Sequence, residues 1–196
     1  MKKKKIIIIS CVAFLAMIAS LFLYFSYFSL DITQTYAKIT PFGDNEVELR
    51  KEYYLQERNI DDDNQYIAEN PFPSDDPKDY CKISIKYVAK NRGPFKLSIS
   101  DGYIVNTEDA GFVIYKRGIV VNTAVDSFSK TLSTDGFDLF CYRNGMTDEE
   151  ILEKVKKLNF AIYYENDLFN SIKYNFGLEN LKLLDDFEEI NKTYAN

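Results

Sequence analysis

The sequence predicts an all-β protein with one inserted helix: an N-terminal transmembrane helix that carries a β-sandwich. Three observations predict it. From Ile6 to Leu30 no residue is charged, a stretch of 25 residues, and a bilayer core needs about 20. Beyond Tyr80, short runs alternate apolar and polar residues, with turn residues about every 8–12 positions. Such strands have one apolar face and need a second sheet to cover it. A single capping-box signature, at Thr147, marks the inserted helix.

The chain opens KKKKIIIISC. A cleaved export signal would have a shorter apolar region, about 7–15 residues, followed by a small-x-small site. Here the apolar run continues past Met17-Ile18-Ala19, which has Met17 where a small residue is wanted. Ile8-Ile9-Ser10-Cys11 is similar to a lipobox, but most of the apolar run follows Cys11, so permanent anchoring is the expectation. Residues 1–5 are then a cytoplasmic tail and 6–28 the transmembrane helix. Lys2–Lys5 flank one end and Asp31 is the first charge at the other, which puts the N-terminus inside and the body outside. Tyr24, Phe25, Tyr27 and Phe28 form an aromatic belt at the outer interface.

The chain carries 24 basic and 30 acidic residues; without Lys2–Lys5 the remainder stands at net −10. That balance argues against nucleic acid as a partner. Histidine is absent, which excludes Ser-His-Asp and Cys-His catalysis and removes the commonest transition-metal ligand. No cofactor is expected.

Residues 29–79 are expected to hold a stalk, a first strand or strands and an acidic loop. Asp31–Thr40 alternates weakly, as either a stalk or a strand would. Glu46–Glu57 sets Val47, Leu49, Lys51, Tyr53 and Leu55 at period two, the pattern of a strand, with a helix as the competing reading. Residues 59–79 hold seven acids, one lysine and three of the five prolines, the composition of a solvated loop. Asp61 and Asp63 suggest calcium, but Gln65 and Tyr66 break the EF-hand spacing.

Residues 80–196 form the predicted β-sandwich. Cys81, Ile83, Ile85 and Tyr87 alternate with Lys82, Ser84 and Lys86. Asn91-Arg92-Gly93-Pro94 is a turn, Phe95, Leu97 and Ile99 begin the next strand, and Asp101-Gly102 is read as the turn after it, with Tyr103–Asn106 as a further extension of the sheet. Phe112–Tyr115 and Ile119–Asn122 around Lys116-Arg117-Gly118 predict a hairpin, and Ser127–Thr131 a short strand. Phe137, Leu139 and Cys141 share one strand face. Thr147-Asp148-Glu149-Glu150 starts a helix near 148–158, with Ile151, Val155 and Leu158 as its apolar stripe. Phe160–Tyr164 and Ser171–Phe176 predict a hairpin whose tip carries Phe169. For the tail, both a strand near Leu181–Leu184 and a short helix fit.

Cys81 and Cys141 lie 60 positions apart, each on an apolar strand face. An inter-sheet disulfide of the immunoglobulin type fits, worth about 4 kcal/mol in the chain-entropy view; two buried thiols fit equally. No Trp is present to pack on such a bridge, and Leu139 occupies the tyrosine-corner position. The stretch Phe95–Glu165, with GMTDEEILEKVKKL before FAIYYEND, resembles the immunoglobulin-like ectodomains of uncharacterised bacterial membrane-anchored proteins. The resemblance implies an extracytoplasmic module with no catalytic residues to transfer.

The expected function is non-enzymatic: a cell-membrane protein whose outer domain binds a protein or cell-envelope partner. Phe72, between two prolines, and Phe169 are the candidate contacts, with burial against the core as the competing reading. Two other readings use a Ser-Lys hydrolase, with Ser98, Ser100, Ser127 or Ser129, or a calcium site at Asp61–Asp63 with Asp75 and Asp76.

Overall fold

The computed structural model describes residues 2–58, 72–105, 114–115, 119–134 and 136–194. The chain is mostly β, in two sheets, with one apolar helix at its N-terminus. That helix, α1 (Lys2–Tyr27), contains a 19-residue window of mean hydropathy 2.2, long and apolar enough to cross a membrane. The first sheet, A, has six strands: β1 (Leu30–Pro41), β2 (Tyr80–Asn91), β4 (Ile114–Tyr115), β6 (Lys130–Leu132), β7 (Phe137–Tyr142) and β10 (Lys182–Leu183). They run in the order β10-β1-β2-β7-β4, with β6 also paired to β2. The second sheet, B, holds β5 (Ile119–Val125), β3 (Leu97–Ile104), β8 (Asn159–Glu165) and β9 (Ile172–Gly177), in that spatial order.

The inner faces of the two sheets close on one core. Ile83, Ile85, Tyr87, Phe137 and Leu139 come from sheet A, and Leu97, Ile99, Phe160, Ile162, Ile172 and Phe176 from sheet B. Four rings tie the layers together: Tyr87 on Phe137 at 5.6 Å, Phe137 on Phe160 at 4.9 Å, and Phe160 on Phe176 at 5.7 Å. The end remote from α1 is plugged by α3 (Asp148–Val155), whose Ile151 and Val155, with the following Leu158, are fully buried. Its capping box forms as expected: the Thr147 hydroxyl accepts from the Glu150 amide at 3.3 Å, and the Glu150 carboxylate accepts from the Thr147 amide at 2.9 Å. The β8–β9 hairpin also forms as expected.

Several expectations are corrected. Residues 46–57 lie in a helix, α2 (Glu46–Arg58), and not in a strand. Acids in the first turn and a Glu46–Arg50 pair at 3.0 Å favour the helix, which buries Val47 and turns Leu49 to the opposite, exposed side. No stalk separates α1 from the body. β1 begins at Leu30 and pairs with β2 from Leu30↔Asn91 to Pro41↔Cys81, so the body starts near residue 30 and not at Tyr80. Asp101-Gly102 does not end β3. The strand runs through it on a bulge after Ile99, and Gly102 is required because a Cβ there would lie 2.9 Å from the Ala161 carbonyl oxygen. β4 and β5 do not form a hairpin; they belong to different sheets, and their connection at 116–118 lies outside the described residues. In the tail both alternatives are present, as β10 and as α4 (Glu188–Tyr194).

Candidate functional site

Two built regions stand out: the junction of α1 with the body, and the outer face of sheet B.

A helix C-terminus leaves carbonyls without intrahelical donors. The body supplies donors for α1. The Asn166 amide donates to the Ser26 carbonyl at 2.8 Å, the Tyr164 hydroxyl donates to the Tyr27 carbonyl, and the Arg92 N–H donates to the Ser29 carbonyl at 2.7 Å. Burial pushes the Tyr164 hydroxyl above its ordinary pKa, so it stays a donor. Ser26 and Ser29 are buried, and each hydroxyl donates back into its own turn. Asn91 holds the second half of the junction. Its amide nitrogen donates to the carbonyls of Phe95, Val125 and Asp126 at 2.6, 3.3 and 3.1 Å, and its oxygen accepts from the Gly93 amide at 2.8 Å. Gly93 abuts the helix: a Cβ there would stand 2.7 Å from the Ser29 Cβ. Rings complete the contact, Phe22 on Phe95 at 5.5 Å and Tyr27 on Phe169 at 5.3 Å.

The outer face of sheet B presents Ser98, Asp101 and Tyr103 from β3, Tyr163 and Glu165 from β8, and Lys173 and Asn175 from β9. No described helix or loop packs over it, and its polar residues are exposed. Tyr103 and Tyr163 lie diagonally across the strands with ring centroids 6.2 Å apart, and the Lys173 ammonium sits 5.1 Å from the Tyr103 centroid. The hydrogen bond shared with Tyr103 raises the Tyr163 pKa, and the Tyr103 hydroxyl likewise holds the Lys173 ammonium above its usual value. At neutral pH Tyr163 is therefore a neutral hydroxyl and Lys173 a cation, both set against the Tyr103 ring.

The residues singled out from the sequence fall elsewhere. Phe72 is 7% exposed, in a cluster with Phe42, Val47, Tyr80 and Phe140 on the outer side of sheet A. It is not an exposed tip, because the sheet there offers an apolar surface that needs covering. Phe169 is half-buried against Tyr27 and the main core, so it serves the junction. Cys81 and Cys141 are directly opposite each other on β2 and β7, within one sheet, so of the two readings the inter-sheet bridge does not fit and the pair of buried thiols does. Both are free, buried thiols. Burial, reinforced by the adjacent Cys81 sulfur, pushes the Cys141 thiol well above its ordinary pKa. Asp61 and Asp63 lie outside the described residues. Asp75 pairs with Lys51, and Asp76 accepts from the Lys78 amide at 2.9 Å as a cap. Among the described residues no group of three or more metal-ligating side chains gathers. Ser98, Ser100 and Ser127 are exposed, and the Ser129 hydroxyl donates to the Asp126 carbonyl at 2.7 Å. An open groove of about 380 Å³ follows α3, lined by Met146, Glu149, Glu150, Glu153 and Lys154.

Sequence reasoning missed Asn91, Tyr164, Asn166 and the Tyr103–Tyr163–Lys173 trio. The asparagines gave a partial signal, since both sit in turns. Their partners lie up to 140 positions away.

These features define a class: a two-sheet β-body hydrogen-bonded to the end of one apolar helix, with one sheet face left open. No known protein family matches the sequence, and no curated protein resembles it closely enough to count as a relative.

Proposed function

We propose that this chain is a single-pass membrane protein that holds its β-body outside the cytoplasm and binds a protein of the cell envelope there, without catalysing a reaction. The observation that carries the reading is the open face of sheet B. Tyr103 and Tyr163 offer rigid, amphipathic contact area, and Lys173, Asp101 and Glu165 supply charges for a complementary partner. The four lysines before α1 favour a cytoplasmic N-terminus. Kinship with immunoglobulin-like domains is supported by the two-sheet body; the cysteine pair, confined to one sheet, lends it nothing.

The test is photo-crosslinking in intact cells. A photoreactive phenylalanine analogue at Tyr103 or Tyr163 yields one discrete adduct with a second protein, whereas the same group at Leu49, exposed on α2, yields none. Equal adducts from all three positions, or none from any, overturn the assignment of the face. Protease added to intact cells removes the body and leaves α1; a fully protected body overturns the orientation.

A further inference from the structure

We propose that the body also rests on the bilayer through its loops, with Phe128 and Leu168 reaching the lipid beside α1; this rests on the reading of α1 as a membrane helix. The 19-residue window Ile9–Tyr27 rises about 28 Å at ~1.5 Å per residue, close to a hydrocarbon core of about 30 Å. The end of that window, at Tyr27, therefore lies at the boundary of the hydrocarbon. The body does not stop at that level. Phe95, in the turn after β2, packs its ring on Phe22, which lies five residues, or about 8 Å, deeper along the helix. Gly93 in the same turn lies against Ser29 and the Phe25 carbonyl.

Two further loops are tied to the same level. The Phe128 amide donates to the Gly93 carbonyl at 3.3 Å, and Asn91 binds the Asp126 carbonyl at 3.1 Å, so the turn 126–129 is fastened to the turn beside the helix. The Leu168 amide donates to the Asn166 side chain at 2.9 Å, and that same side chain binds Ser26 of α1. Both loops carry an exposed apolar side chain: Phe128 is 72% exposed and Leu168 45%. Phe128 is moreover held at φ 54°, a left-handed conformation uncommon outside glycine. In water that arrangement spends a large aromatic on solvent; at a membrane–water boundary an aromatic ring is at home. The two cations of these loops are paired, Arg92 with Asp31 and Lys96 with Asp126 at 3.5 Å, and Asp167 beside Leu168 is an exposed anion. A neutral lipid therefore suffices, and no anionic headgroup is called for.

The chain has no tryptophan, so a single one reports its own surroundings. The full chain is reconstituted in phosphatidylcholine vesicles with brominated acyl chains, carrying Phe128→Trp, Leu168→Trp, Phe14→Trp or Leu49→Trp. Expected is quenching by bromine at positions 128, 168 and 14, with a blue-shifted emission, and none at 49, where iodide in the water quenches instead. If position 14 is quenched while 128 and 168 respond only to iodide, the loops are not in lipid and the inference falls alone. If position 14 is not quenched, α1 is not in the bilayer, and the anchoring falls together with it.

Discussion

The two sheets share a core and differ in what lies behind them. Sheet A is covered at both ends of its outer face. Its outer surface packs at one end on the cluster of Phe42, Val47, Phe72, Tyr80 and Phe140, where the Arg50 guanidinium sits 3.4 Å from the centre of the Phe140 ring. At the other end it packs on Tyr36, Val88 and Ile190, with Leu184 and Phe187 at the margin. Even its lysines are drawn in: Lys86 lies 5.5 Å from the Phe187 ring and is half-buried. Sheet B has its inner face in the core and its outer face open, so β3 alternates buried and exposed residues, whereas no residue of β2 is exposed. The difference separates two tasks. Sheet A is framework, joined to α1 through β1 and stiffened by helices. Sheet B is the layer that still has a surface to offer, and a surface evolves for contact more freely when no packing depends on it.

A charge placed on the outer side of each sheet should break this contrast most sharply. Val88 faces outward from β2 and is fully buried beneath Ile190 and Tyr36. Val88→Asp strands a carboxylate without a partner and costs more than about 4 kcal/mol, enough to lose the folded state in many domains. Denaturant unfolding reads it directly. A cost under about 1 kcal/mol would mean that α4 leaves sheet A and that its outer face is as open as that of sheet B.

The cysteines sharpen the comparison, because they belong wholly to the framework. The Arg143 amide donates to the Asp79 carbonyl at 2.7 Å, which makes residues 79 and 143 a hydrogen-bonded pair and, two steps on, Cys81 and Cys141 another. Such pairs hold their Cα atoms about 5.5 Å apart, within the range a disulfide accepts. Treated with oxidised glutathione, the unfolded chain on refolding passes two electrons and two protons to the reagent, closes a Cys81–Cys141 bond and releases two glutathione thiols. Stability then rises by about 4 kcal/mol, the chain-entropy gain for a loop of this size. Binding through sheet B stays unchanged. A bridged protein that is no more stable, or that has lost binding, would show that sheet A is not an independent frame.

How much of this was legible depended on distance along the chain. The capping box at Thr147 and the β8–β9 hairpin were plain because their signals are local. The helix over Glu46–Arg58 was misread because Val47 and Leu49 satisfy a strand as well, and the surface Val47 covers belongs to strands far away in sequence. The cysteine faces were read correctly and their sheets were not, since alternation gives a side and never a neighbour. The junction was least visible. Asn91 and Asn166 read as turn residues, and only assembly brings them to the carbonyl ends of a helix. The open tyrosine face depends on the bulge after Ile99 in the pairing of β3 with β8: without that extra residue Tyr103 would turn inward and Gly102 outward.

The smallest expected effect on stability is the most telling. Tyr163 is half-exposed, touches Tyr103 and supports no other described element. Tyr163→Asp puts the same charge on sheet B that Val88→Asp puts on sheet A. It costs about 1 kcal/mol, for the lost cross-strand ring pair and the poor strand propensity of Asp, well below the cost at Val88. The introduced carboxylate stands beside Lys173, which offsets part of its solvation change. Yet it removes a ring from the platform and adds a negative charge to it, and contacts of that kind at the centre of an interface carry 2 kcal/mol or more, roughly a 30-fold loss of affinity. Unfolding and partner capture, measured on one preparation, should therefore part company: a denaturation midpoint little changed with capture lost. If both fall together, Tyr163 is holding the sheet, and the division of labour between the layers is gone.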